Sequence, residues 1–159
     1  MNLDINTPRG QQSLSQERKL IKALAAVYPD ISFVETHKAL PAQIDGLMVK
    51  GETLVGIYEN KCRNMSSDDM HKFNDEWLVT YEKIMHGAEL SKRLRVPFYG
   101  FLYLVKNSTG VAVQITDDEG NIRPKIRIER TETQRTINGG SIVRTNAYID
   151  ITDSDTFII

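Results

Sequence analysis

The chain has 159 residues, 40% of them hydrophobic and 26% charged, which is the composition of one ordinary globular domain and excludes a disordered chain. Twenty Lys and Arg stand against twenty-one Asp and Glu, a formal charge of −1, so a generally basic nucleic-acid coat is excluded while a local basic patch is not. No apolar run approaches the roughly 20 residues that cross a bilayer, so no membrane-spanning helix and no membrane association are expected. Cys62 is the single cysteine, so internal disulfides and cysteine-rich zinc sites are excluded. Met1-Asn2-Leu3-Asp4 lacks the basic and apolar regions of a signal peptide, and a cytoplasmic, reducing location is the expectation.

In chain order, residues 1–12 carry Pro8 and Gly10 without periodicity and read as a loose arm. Ser13-Leu14-Ser15-Gln16 fits a capping box and predicts a helix start, with Leu14, Ile21, Leu24 and Tyr28 facing the core and Pro29 ending the helix. Residues 31–35, 43–49 and 53–61 alternate as three strands, the last two joined as a hairpin through Lys50-Gly51-Glu52. Ser66 and Asp69 have capping-box spacing and open a second, long helix. Its stripe is Met70, Phe73, Trp77, Tyr81, Ile84 and Ala88, and it is over by Pro97.

Residues 98–106 are aromatic and β-branched, as in a central strand, and 111–115 form another. Residues 122–130 alternate, with Arg123, Lys125 and Arg127 on one face and Ile122, Ile126 and Ile128 on the other. Asn138-Gly139-Gly140 reads as a hairpin turn. The whole predicts an α/β (α+β) fold with a mixed central sheet flanked by helices. A helix-strand-strand-strand-helix-strand core over residues 13–106 carries a β-rich extension over 107–159, in a single domain.

Strand alternation puts Val55, Ile57, Glu59 and Lys61 on one face. A three-residue hairpin loop puts Asp45 on that same face, opposite Ile57, with Glu59 one diagonal step away. Two carboxylates close together in an apolar setting repel, and a divalent cation relieves them. Carboxylates, a backbone carbonyl and waters make a hard-ligand site suited to Mg²⁺, with Mn²⁺ as substitute. Lys61 is placed to orient a water or to stabilise charge developing on a phosphate. The other reading of the three residues is a solvated salt-bridge cluster.

Asp45, thirteen intervening residues and then Glu59-Asn60-Lys61, with a helix before and a helix and apolar strand after, resembles the PD-(D/E)XK nuclease superfamily over about residues 13–106. Ile44 stands where proline often precedes the aspartate, and Tyr81 follows Trp77 rather than the glutamine of a Gln-x-x-x-Tyr motif. The resemblance implies Mg²⁺-dependent hydrolysis of DNA phosphodiesters, with an endonuclease favoured. Asp45, Glu59 and the Asn60 carbonyl would be metal ligands, and Lys61 would lie near the nucleophilic water. In several branches a glutamate of the first helix reaches the metal. Glu17 interrupts the stripe of that helix and is the candidate, its alternative being a first-turn acid favoured by the helix dipole.

Residues 120–146 hold Arg123, Lys125, Arg127, Arg130, Arg135 and Arg144 against Glu129 and Glu132. Arg123, Lys125 and Arg127 are the candidate DNA contacts, an ordinary solvated strand face being the alternative. A homodimer would suit cutting of both strands. The competing function is a non-catalytic DNA-binding or assembly protein on the same fold, indifferent to chelator.

Overall fold

The computed structural model describes residues 7–37, 42–135 and 141–159. Helix α1 (Pro8–Val27) opens before Ser13, within the expected arm. Thr7 supplies the reason: its side chain accepts from the Gly10 N–H at 2.9 Å, and Pro8 takes the first helical position, where no N–H is needed. Leu14, Ile21 and Leu24 are buried as the periodicity requires, together with Leu20.

Strands β1 (Ser32–Glu35), β2 (Gly46–Lys50) and β3 (Thr53–Arg63) follow. The expected long helix does not form. Helix α2 (Ser67–Lys72) keeps the capping box of Ser66 and Asp69 and then stops, because Asn74 and Asp75 adopt left-handed backbone, φ 61° and 54°. Residues Glu76–Thr80 are strand β4 and Tyr81–Leu94 are helix α3. The stripe Met70, Trp77, Ile84 and Ala88 is buried all the same, while Phe73 is 61% exposed. β4 alternates Trp77 and Val79 inward with Leu78 outward, and its partner is the distant strand Ser141–Asp150, which local spacing does not reveal.

Strands β5 (Phe98–Leu104), β6 (Thr109–Thr116), β7 (Ile126–Arg135), β8 (Ser141–Asp150) and β9 (Asp155–Ile158) complete the chain. One mixed sheet has the order β1-β2-β3-β5-β6-β9, with β3 and β5 parallel and the other neighbours antiparallel. A second sheet has the order β4-β8-β7. Two apolar clusters lie on the two faces of the large sheet. On one, Leu20, Ile21 and Leu24 of α1 meet Met48, Tyr58 and Phe101. On the other, Ile84 of α3 and Trp77, Val79, Ala147 and Ile149 of the small sheet meet Ile57, Phe98, Leu102 and Ile115. This is the expected α+β architecture, with the small sheet added.

β7 starts only at Ile126, so Arg123 and Lys125 belong to the connection before it. The expected apolar face of 122–130 is not buried as a unit either, since Ile122 and Ile128 are exposed and only Ile126 packs on the core. The Asn138-Gly139-Gly140 turn lies outside the described residues, although the strands on either side pair antiparallel. Among the described residues no helix is long and apolar enough to cross a membrane.

Candidate active site

The site grows from the β2–β3 hairpin. Lys50 pairs with Thr53 and Val49 with Leu54, so the turn has two residues rather than three. An even turn alone would set Asp45 opposite Tyr58, on the α1 face. Between Met48 and Val49 the register shifts: Met48 faces Gly56, and Val55 is left over as the extra residue of a β-bulge. Leu47 then faces Ile57 and Gly46 faces Tyr58, and Asp45 enters just before the paired residues, where its charge acts on Glu59. The bulge also turns Val55 to the α1 side, away from Ile57, which corrects the expected grouping. Leu47, not Asp45, lies opposite Ile57, and Asp45 meets the second strand at the Tyr58 carbonyl and the Asn60 N–H.

Asp45 is held at every polar atom of its backbone. Its N–H donates to the Tyr58 carbonyl at 3.0 Å, and its carbonyl accepts from the Thr36 N–H at 2.8 Å and the Thr36 hydroxyl at 3.0 Å. Its Oδ2 accepts from the Asn60 N–H at 2.8 Å. Gly46 is needed beside it, because a Cβ there would stand 2.3 Å from the Tyr58 ring.

Glu59 is 1% exposed, and its Oε2 has no hydrogen-bond partner among the described residues. Lys83 Nζ stands 3.1 Å from Oε1 and Lys61 Nζ 4.0 Å, as ion-pair contacts. Burial, and then the Asp45 charge, push the Glu59 carboxyl up to about 7, and the two lysines pull only partly back. Burial by itself would depress the Lys83 ammonium, but Glu59 and Asp45 outweigh it and hold it above its ordinary value. Lys61 and Lys83 are each about one-third exposed, so both bridge from the buried carboxylate to solvent.

Lys83 escaped the sequence reading. It sits in the first turn of α3, one turn after Thr80, and that position exists only once the helix breaks at Asn74. Glu17 comes near from the α1 side: its charge acts on Tyr58, Cys62, Arg63 and Lys83. Among the described residues no three His, Cys, Asp or Glu side chains are gathered as a group that could hold a metal. The residues that would fit a hard divalent cation are the two carboxylates, with the Asn60 carbonyl next after Glu59 in sequence. The buried Glu59 Oε2, without a hydrogen-bond partner among the described residues, is what such an ion would satisfy. Cys62 packs with the α1 cluster, and burial pushes its thiol up to about 12, which leaves it unreactive.

Lys125 lines one pocket with Arg123 and another with Arg127, and neither pocket brings all three together. Arg123 donates to Gln114 Oε1 at 3.0 Å, and with Lys125 it lines a cavity of about 930 Å³ beside Tyr28, Tyr99 and Lys50, at the turn end of the hairpin. Arg127 lies on the small sheet, paired to Glu76 at 3.2 Å and Glu129 at 2.6 Å, over the Tyr148 ring.

A hairpin carrying an aspartate at its entry and Glu-x-Lys on its second strand, followed by a helix and a parallel strand, defines a PD-(D/E)XK nuclease fold. The model of one family, described as phage putative PDDEXK endonuclease, matches residues 8–151, nearly the full length, and the chain belongs to that family. No curated protein and no solved structure matches the chain.

Proposed function

We propose that the chain is a Mg²⁺-dependent endonuclease that hydrolyses phosphodiester bonds in DNA. The observation that carries this is the buried Glu59 carboxylate, which lies close enough to Asp45 to feel its charge and is met by Lys83 and Lys61 at one oxygen, while Oε2 has no hydrogen-bond partner among the described residues. A carboxylate that costly to bury persists where it serves a ligand.

Asp45, Glu59 and the Asn60 carbonyl would hold the ion, which when bound supplies a Lewis acid for a phosphate oxygen and acidifies water. The chain's own groups do the rest. Lys61, reaching solvent where DNA arrives, orients the attacking water and meets the negative charge that builds on phosphorus. The water oxygen bonds to phosphorus as the bond to the leaving oxygen breaks. Lys83 holds Glu59 in place from α3. The Asn60 N–H keeps the Asp45 carboxylate turned toward the site.

The test is incubation of linear, circular and single-stranded DNA with wild type and Lys61→Ala, each with Mg²⁺ and with chelator. Expected is cleavage of circular DNA that chelator stops and that Lys61→Ala lowers by about 10²-fold or more, with metal binding retained. Full activity of Lys61→Ala across Mg²⁺ concentrations would sink the mechanism. Chelator-indifferent DNA binding without any cleavage would leave the non-catalytic binder.

A further inference from the structure

Along β3 the register with β5 runs unbroken from Ile57↔Phe98 to Arg63↔Leu104. Alternation therefore places Ile57, Glu59, Lys61 and Arg63 on the face shared with α3 and the small sheet. Arg63 is the last of them, two residues beyond Lys61 and roughly 6–7 Å further along the strand. Its guanidinium reaches across to β4, where Nη2 donates to the Leu78 carbonyl at 3.4 Å, while Nη1 donates to the Cys62 carbonyl at 3.2 Å. β4 passes into α3 just after Thr80, and one turn on stands Lys83, beside Glu59. Glu59, Lys61, Arg63 and Lys83 thus border one gap between the large sheet and the β4–α3 junction.

The three cations are not used alike. Lys83 and Lys61 both stand by the Glu59 carboxylate, at 3.1 and 4.0 Å. Arg63 meets two neutral carbonyls and, among the described residues, no carboxylate within ion-pair distance. The Glu17 charge reaches it only at longer range. Arg63 is half-buried, and that burial works against its charge, holding the guanidinium below its ordinary value. Bonding two carbonyls does not require a charge, and partial burial of one without a counter-charge is unfavourable. A guanidinium also has five N–H donors in a fixed fork, of which the carbonyls take two. What fits the remaining donors is an anion with oxygens side by side, as in a phosphate.

We propose that Arg63 forms a second phosphate subsite, which holds the phosphate next to the one being cleaved. The identity of the ligand rests on the nuclease reading above. In that reading Lys61 faces the scissile phosphate, and the step from Lys61 to Arg63 is comparable to the step between consecutive phosphates of one strand. Two phosphates held side by side orient the strand across the site, and contacts to phosphate fix position without reading sequence. The competing role is a tie between β3 and β4, which uses the carbonyl contacts and has no use for the charge.

The experiment compares the full-length wild type with Arg63→Gln and with the charge-keeping Arg63→Lys. Duplex binding is measured in Ca²⁺ over a salt series. Cleavage in Mg²⁺ is measured on the duplex and on bis(4-nitrophenyl) phosphate, which carries a single phosphate. Arg63→Gln should bind duplex roughly ten-fold more weakly, with the log–log salt slope reduced by about 0.9 for one lost phosphate contact. Its KM on duplex should rise with kcat nearly constant, and the ratio of kcat/KM on duplex to that on bis(4-nitrophenyl) phosphate should fall about ten-fold. Arg63→Lys should keep the salt slope and recover part of the affinity. A duplex with a neutral methylphosphonate beside the cut should weaken wild type to the same extent and Arg63→Gln no further. An unchanged slope, equal losses on the two substrates, or methylphosphonate and variant losses that add would overturn the proposal and leave Arg63 as the β3–β4 tie. If Arg63→Gln melts too low to assay, the methylphosphonate duplex with wild type decides, and undiminished affinity on it overturns the proposal. If wild type cleaves neither substrate while the salt slope still follows Arg63, the nuclease mechanism falls and Arg63 stands as a phosphate contact.

Discussion

At the scale of the residue, Glu59 sets the terms. Its carboxyl is raised from an ordinary 4.5 to about 7 by burial and by Asp45. A folded value above the unfolded one means that this group's contribution is complete below about pH 4.5 and is lost as pH rises through about 7. In chelator, the protein should lose on the order of 3 kcal/mol through Glu59 between pH 5 and pH 8. Glu59→Gln keeps the shape and cannot ionise, so its denaturant midpoint at pH 8 should exceed that of wild type, with the gap closing at pH 5. Midpoints that shift in parallel at both pH values would remove burial as the cause. That Glu59 and Lys61 come together was legible in the chain, because alternation along one strand is a local property, whereas the two-residue turn and the bulge that bring Asp45 near were not. Lys83 was not, because its approach depends on where α3 begins.

At the scale of the element, the segment after α2 shows why a regular helical stripe misled. Met70, Trp77, Ile84 and Ala88 all point inward, yet α2, β4 and α3 each supply part of the set. What decides is the left-handed backbone at Asn74 and Asp75, types that tolerate it, and a β8 edge more than sixty residues away that offers β4 its hydrogen bonds. Asn74→Gly should therefore be neutral or slightly stabilising, and Asn74→Val should cost about 1–2 kcal/mol in chemical denaturation. A continuous helix would give the opposite order, since glycine is the poorer helix former. Gly100 of β5 is the counterpart of Trp77: a Cβ there would lie 2.5 Å from the indole. Gly100→Ala should destabilise by about 1–3 kcal/mol through overpacking, and an unshifted melt would mean that the indole can yield.

At the scale of the whole molecule, the large sheet separates two cores, and β3 carries residues into both: Ile57 on one side, Tyr58 on the other. Binding at Asp45 and Glu59 is thereby tied to global folding. Mn²⁺ should raise the melting temperature as its concentration passes the dissociation constant, by about 2.7 kcal/mol of stabilisation at a hundred-fold excess. Asp45→Asn should gain much less. Wild type without a Mn²⁺-dependent shift at millimolar concentration would disprove the metal site. The sheet-and-helix layering was readable from element order, which is local. The small sheet was not, since β4–β8 pairing joins segments that nothing in their own sequence brings together.

The β-bulge at Val55 has a consequence for how this protein can vary. Each residue added to or removed from the hairpin between Asp45 and Glu59 exchanges the face on which the aspartate emerges. Working descendants should accept length changes there only in twos, or in ones matched by a second bulge. Deleting Val55 alone should abolish the Mn²⁺-dependent thermal shift, and lengthening the turn by one residue in that background should restore it.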